Sequence, residues 1–217
     1  MNKKAIVLLS GGLDSAVTLS IAKSRGFECF CLIFDYGQRH KKEIECAKRI
    51  ALAADCRFQL LKIKLPQKGS SLIDKKMILP APANNIPSTY VPARNIIFLS
   101  FAFSYAEAIK AGAIYIGAHC QDYSGYPDCR PEFFRAFSKA ILAGTKSGVE
   151  KNEIKLITPL IHKTKSQIIR LGESAGVNFK LTWSCYQGGR YPCGKCDSCY
   201  YRIKGFKEAK LKDPAIK

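Results

Sequence analysis

No stretch of this sequence approaches the roughly 18 consecutive apolar residues that a membrane span requires. The apolar run at residues 5–9 is broken at once by Ser10-Gly11-Gly12, and it is too short for the core of an export signal. A soluble, cytoplasmic chain without membrane contact is therefore expected. Acidic residues are also scarce: 17 Asp and Glu stand against 35 Lys and Arg, a formal charge of +18. That excess is more than one nucleotide ligand needs, so an RNA partner has to be weighed. The cations are spread along the chain rather than gathered in an arginine-rich block, which fits a lysine-rich surface better; direct nucleic-acid binding is not expected. The most basic stretch, residues 204–217, reads equally well as a solvated helix face. Internal repeats and low-complexity linkers are absent.

What is present has a clear rhythm. Short apolar runs at residues 5–9, 29–34 and 58–63 alternate with segments of helical period at 14–25 and 41–54. Strand, helix, strand with long crossovers implies a parallel sheet covered by helices on both faces, an α/β fold. Residues 66–92 hold five of the ten prolines, a long irregular excursion of the kind that usually serves function. A helix is expected from Arg94 to near Gly112, then a buried strand at 113–118, an aromatic and charged loop at 122–130, a helix at 132–142, a strand at 154–157 and a helix at 165–175. This divides the chain into a main domain, residues 1–180, and a cysteine-bearing segment with a basic tail, residues 181–217.

Ser10-Gly11-Gly12-Leu13-Asp14-Ser15, entered through Leu9, lies between the first strand and the first helix. Unpaired N–H groups and the positive end of the helix dipole there face an incoming anion. The glycines admit close backbone approach and the serines add donors. No lysine follows the second glycine, so this is not a Walker A loop. Asp14 instead makes sense if a cation such as Mg²⁺ bridges it to nucleotide phosphates.

Of the ten cysteines, six are scattered through core-like segments, whereas Cys185, Cys193, Cys196 and Cys199 crowd together with seven, two and two residues between them. In a chain without an export segment such a cluster points to metal rather than cystines, and to a reducing compartment. Four thiolates can close a tetrahedral, structural zinc site, one ion per chain. An iron–sulfur cluster is the rival; against it, the fourth cysteine lies upstream and Tyr200-Tyr201, not Cys-Pro, follows the run.

The SGG-x-DS hexapeptide resembles the signature of the ATP pyrophosphatases, with their adenine nucleotide alpha hydrolase-like fold, which cut ATP between the α and β phosphates and join AMP to a substrate oxygen. Three further segments, 36–40 (YGQRH), 87–95 (PSTYVPARN) and 122–130 (DYSGYPDCR), together with 181–186 (LTWSCY), narrow the resemblance along nearly the whole chain to the 7-cyano-7-deazaguanine synthase family. Ala93 replaces the glycine usual there, and Gln167 a common glutamate. That family belongs to the ligases forming carbon–nitrogen bonds. The resemblance implies conversion of 7-carboxy-7-deazaguanine and ammonia, with ATP, into the nitrile precursor of queuosine or archaeosine through an adenylated acid and an adenylated amide. Residue 2 is Asn2 rather than the cysteine of a glutaminase, so free ammonia is the implied donor.

On this reading Asp14, Arg94 and Lys165 are catalytic candidates, and Leu9 to Ser15 bind ATP with Mg²⁺. Arg39, Asp122, Tyr126, Asp128 and Arg130 are candidates for the substrate, the arginines for a carboxylate or phosphate and the aspartates for a guanine-like edge. His40, His119 and His162 read as structural, because a dedicated base for ammonia is optional. A homodimer is allowed for. Two other readings remain: a tRNA-thiolating relative, and a non-catalytic zinc module that binds RNA, which would leave the phosphate loop unexplained.

Overall fold

Five strands, β1 (Lys3–Leu8), β2 (Phe27–Asp35), β3 (Arg57–Lys62), β4 (Ala113–Tyr115) and β5 (Lys155–Ile157), form one wholly parallel sheet in the order β3-β2-β1-β4-β5. The computed structural model describes residues 3–66, 69–74, 76–79, 86–119 and 125–215. The strands read as unbroken apolar runs because both faces of the sheet are covered. Along β1, Ile6 and Leu8 face a core shared with Leu99 and Phe103 of α3 (Arg94–Ala108). Ala5 and Val7 face the opposite core, shared with Leu19 of α1 (Leu13–Ser24) and Ile44 and Ile50 of α2 (Lys42–Ala53). Helix α4 (Pro131–Gly144) adds Phe134 to the first core, and the one-turn α5 (Lys146–Val149) follows it.

A third apolar cluster joins α1 to α6 (Lys165–Ser174) and α7 (Asp197–Ala209). Leu160, Ile168 and Ile169 are fully buried there, and truncating any of them to Ala should cost about 2–5 kcal/mol. The first half of the basic stretch lies on a docked helix with a solvated face: α7 buries Cys199, Arg202, Phe206 and Ala209, while Lys204, Lys207 and Lys210 stay exposed. Arg202 holds Asp213 at 2.7 and 2.9 Å and reaches Thr182 Oγ1 at 2.8 Å, all three residues being buried. The excursion after β3 also packs back, with Leu72, Ile73 and Val91 in the first core.

Local signals account for the helix starts. Thr164 and Gln167 form a reciprocal capping box on α6; Glu or Gln fills the Gln167 role equally well. Helix α3 has no such local cap. Ala93, its N-cap residue, lies at φ 54°, ψ 20°, a left-handed conformation that glycine adopts without strain, and Asp128 Oδ2 accepts the Asn95 N–H at 2.9 Å from 33 residues away.

The chain leaves β1 toward β2 and β3, then returns to β1's other side for β4 and β5. Strand order thus reverses between β1 and β4, where open α/β sheets hold their ligands beyond the carboxyl ends of the strands. No helix among the described residues is long and apolar enough to cross a membrane.

Candidate active site

At that switch point the β1–α1 loop wraps the N-terminus of α1. Gly11 has φ 86°, and a Cβ there would lie 2.1 Å from the Glu43 carbonyl oxygen. Only glycine lets the loop press against the first turn of α2. Gly12 is the N-cap residue of α1, extended at φ −79°, ψ 166°, with no side-chain cap, so the amide end of the helix stays open to an anion. Ser10 Oγ accepts from Gly12 N–H at 3.3 Å and donates to Ser15 Oγ at 3.1 Å; Ser15 Oγ donates to Gly12 O at 2.9 Å. Trp183 N–H fastens the loop from outside by donating to Gly11 O at 2.9 Å. Above the loop lies a cavity of about 270 Å³, lined by Ser10, Gly12, Asp14 and Ser15 on one side and by Phe34, Tyr36, Glu43 and Arg94 on the other. Leu9 and Arg39 also reach it, whereas Leu13 turns its side chain into the α1–α6–α7 cluster.

Two catalytic candidates meet at the loop although 151 residues separate them. Lys165 Nζ donates to both Asp14 carboxylate oxygens, at 2.8 and 2.9 Å, and lies 2.8 Å from His119 Nε2, which is itself 3.7 Å from Asp14 Oδ2. Burial pushes the Asp14 carboxyl up, but the charges of Lys165 and His119 and the lysine hydrogen bond outweigh it and hold the group below its ordinary value. Asp14 is therefore an anion at neutral pH, with 27% of its side chain exposed. It also borders a second cavity of about 150 Å³, shared with His119, Lys165, Tyr126 and Asp197. Behind it, a Cβ on Gly117 would lie 3.1 Å from Asp14 O, so the chain leaving β4 passes hard against α1 and brings His119 to the lysine.

The third candidate, Arg94, opens α3 with its guanidinium 6.0 Å from the centre of the Tyr36 ring. Burial alone would lower its pKa, but surrounding Tyr36, Cys129, Asp128 and Tyr126 raise it; it is a permanent cation in the cavity wall. Tyr126 borders both cavities and its hydroxyl is 2.7 Å from Thr89 Oγ1. Arg39 donates to the Met77 carbonyl at 2.7 Å while lining the larger cavity.

Other candidates lie elsewhere. Asp128 is buried and bonded to Asn95 and lines neither cavity; Arg130, an exposed residue at the start of α4, lines neither as well. Asp122, with Tyr123, falls outside the described residues. Two cavity residues were not foreseen as functional. His119 could have been suspected from its place just after β4, where such sheets bind ligands. Glu43 carries no local signal, since a glutamate in the first turn of a helix is ordinary. Burial pushes its carboxyl up to about 7, opposed by Arg94.

The four C-terminal cysteines converge as their spacing requires: their sulfurs all lie within 4.8 Å of one another. Cys193 and Cys199 Sγ are 4.0 Å apart, close to the roughly 3.8 Å edge of a tetrahedron with metal–sulfur bonds near 2.3 Å. Backbone N–H groups of Gln187 and Cys193 point at Cys185 Sγ at 3.4 and 3.3 Å, and those of Lys195 and Cys196 at Cys193 Sγ at 3.5 and 3.3 Å. Hydrogen bonds from Cys196 and Cys199, then from the Cys193 and Gln187 amides, pull the Cys185 thiol far below its ordinary value against the opposing effect of burial. An all-sulfur, amide-supported set of this shape can hold a metal ion.

The family model described as "Queuosine biosynthesis protein QueC" matches residues 4–210. A 7-cyano-7-deazaguanine synthase of Acetivibrio thermocellus is 51% identical over 217 residues, covering 97% of this chain and 96% of its own. Another, of Picrophilus torridus, is 51% identical over 211 residues, covering 95% and 88%. Among solved structures, NMN synthetase from Francisella tularensis superposes with a TM-score of 0.53 at 15% identity, covering 97% of this chain and 79% of its own, a likeness of fold.

Proposed function

Because the chain belongs to the QueC family and is 51% identical to two 7-cyano-7-deazaguanine synthases, we propose that its phosphate loop, the Asp14–Lys165 pair and Arg94 carry two successive adenylations, each on an oxygen of the same substrate carbon. In the first, an oxygen of the 7-carboxylate attacks the α-phosphorus of ATP and pyrophosphate leaves. Ammonia then attacks the acyl carbon, the C–N bond forms, and AMP departs with the electron pair of the broken C–O bond, one proton passing to solvent. In the second, the amide oxygen attacks the α-phosphorus of another ATP and a second pyrophosphate leaves. The nitrogen loses its remaining protons as the C–O bond breaks, leaving the nitrile and AMP. Each adenylation turns a poor leaving oxygen into AMP.

The observation that carries this reading is the contact of Lys165 with both Asp14 oxygens at the mouth of the loop. It sets a cation and an anion where phosphate charge shifts from ground state to transition state, the place at which fixed charges lower a barrier most. Lys165 is placed to follow the charge on the departing pyrophosphate, and Arg94 to hold the substrate carboxylate in a bidentate grip. Asp14 stays ionised and partly exposed, which suits a hard cation; Mg²⁺ bound there with ATP would neutralise phosphate charge. Leu9 and Ser10 to Ser15 form the nucleotide side, with Arg39 and Tyr126 on the substrate side. Asp128 acts through the start of α3, next to Arg94.

We assign zinc, one per chain, to Cys185, Cys193, Cys196 and Cys199, because a closed four-thiolate set leaves no position for water and so serves as structure. The catalytic body then spans residues 1–180 and the knuckle 181–217, in a cytoplasmic protein whose thiols stay reduced. The test is mass spectrometry of the product after incubation with 7-carboxy-7-deazaguanine, ATP, Mg²⁺ and ammonium. The expected products are the nitrile, AMP and pyrophosphate; release of ADP, or no nitrile, overturns the proposal. Glutamine in place of ammonium, in ammonia-free buffer, should not support turnover.

A further inference from the structure

The larger cavity has room for a planar heterocycle between the phosphate loop and the aromatic wall of Phe34, Tyr36 and Phe98. A ring of the guanine class presents one edge with two neighbouring N–H donors, the ring N1–H and the exocyclic amino group. A carboxylate answers both at once, and a buried polar site of that kind rejects analogues that lack a donor. Only two acidic side chains line this cavity among the described residues, Asp14 and Glu43. Asp14 is occupied by Lys165. Asp128, the other acid near the wall, is buried against Asn95.

Glu43 remains. Its carboxylate takes no hydrogen bond and no ion pair from any described residue, and the influences on it are burial, the positive charge of Arg94 and the nearby Cys185 sulfur. Its place relative to the loop is rigid, since a Cβ on Gly11 would stand 2.1 Å from the Glu43 carbonyl oxygen and 2.8 Å from Ala47 N. Whatever Glu43 holds is thus set at a fixed offset from the bound phosphates.

We propose that Glu43 determines specificity for the heterocycle by accepting both the ring N1–H and the exocyclic amino N–H with its carboxylate. This rests on the substrate class proposed above. A purine-like ring without the amino group loses one of the two charge-assisted hydrogen bonds, and reaction with it should be roughly 10- to 100-fold less efficient.

The experiment compares wild type with Glu43→Gln and Glu43→Asp, using 7-carboxy-7-deazaguanine and its analogue lacking the exocyclic amino group. Wild type should favour the full substrate by the factor just given. In Glu43→Gln, KM for the full substrate should rise about 10- to 100-fold, while KM for ATP and for ammonium stays within about twofold and the preference for the amino group collapses. Isothermal titration of the base without ATP should show the same loss of affinity. Glu43→Asp keeps a carboxylate and should retain the preference at a raised KM, so it decides the matter if Glu43→Gln folds poorly. Equal penalties on both bases, or a rise in the requirement for ATP or Mg²⁺ with base binding unchanged, would overturn the assignment and turn Glu43 toward the phosphates. If wild type does not turn over 7-carboxy-7-deazaguanine at all, the proposed function falls first, and the titration on the variants still tells whether Glu43 reads the amino edge.

Discussion

Lys165, the first residue of α6, closes on Asp14, in the first turn of α1, with its Nζ 2.8 and 2.9 Å from the two carboxylate oxygens. Asp14 benefits from the positive end of its own helix, whereas Lys165 sits against the same end of α6, which disfavours a cation. The lysine is also buried. Its Nζ donates to both carboxylate oxygens, so the pair acts as a single unit.

Replacing Lys165 by Met should therefore lower kcat by about 100-fold or more, the loss typical of removing one fixed group that stabilises developing charge. KM for the heterocycle should move far less. The variant should remain folded but less stable by about 1–2 kcal/mol, since Asp14 loses both lysine hydrogen bonds and keeps His119, a backbone N–H and solvent. Steady-state kinetics and urea unfolding together check both parts.

Asp14 also sets a pH dependence. Its carboxyl lies below the ordinary 3.8 in the folded protein, through Lys165 and His119. A depressed carboxyl contributes stability that is fully present above the unfolded pKa and is lost as pH falls through the folded one. Wild type should lose melting temperature faster than Asp14→Asn as the pH is taken below about 4, and the two curves should run parallel above pH 5. A constant gap down to pH 2.5 would contradict the pairing.

Asp128 should behave as the missing N-cap of α3. Asp128→Ala removes the acceptor of a buried N–H and should cost about 1–2 kcal/mol, whereas Asp128→Asn keeps an acceptor and should cost less than half of that. Because Arg94 adjoins the capped residue, Asp128→Ala should also raise KM for the carboxylate substrate; equal effects of the two substitutions would argue against the cap.

Ala93→Gly should relieve a left-handed residue. That gain is about 1 kcal/mol, offset in part by the greater freedom of glycine in the unfolded chain. The expected net change is a small stabilisation, up to about 0.5 kcal/mol, with activity retained. Thermal unfolding at equal metal content measures it.

Cys196→Ser should destabilise the whole protein rather than slow the chemistry alone, because a closed thiolate site holds its ligands with folding free energy. The wild-type protein should carry close to one zinc per chain, lack the brown absorbance of an iron–sulfur cluster, and lose its cooperative melt on treatment with a strong chelator. A metal-free variant that stays folded yet inactive would move the knuckle into the active site.

The alternation of strands and helices was legible because burial on both faces leaves a direct trace: residues 29–34 must be apolar throughout, while α2 keeps its period. Ser10 to Ser15 and the cysteine spacing were legible for a similar reason, since an anion cradle and a tetrahedral clip are built from residues a few positions apart. Tertiary structure alone decided which charges meet. Nothing near Asp14 specifies Lys165 or His119, and nothing near Asp128 distinguishes it from Asp122 until Asn95 arrives with an unpaired N–H. Glu43 looks like any acid at a helix start, and its cavity exists only once Gly11 admits α2 against the loop. The basic stretch from residue 204 keeps its lysines on a solvated face, and what its sequence does not show is the docking of the other face through Phe206 and the buried Arg202–Asp213 pair. Short-range periodicity and turn chemistry act through neighbouring dihedrals and are written locally, whereas an ion pair or cap spanning 33 or 151 residues depends on where the packed sheet delivers each chain end.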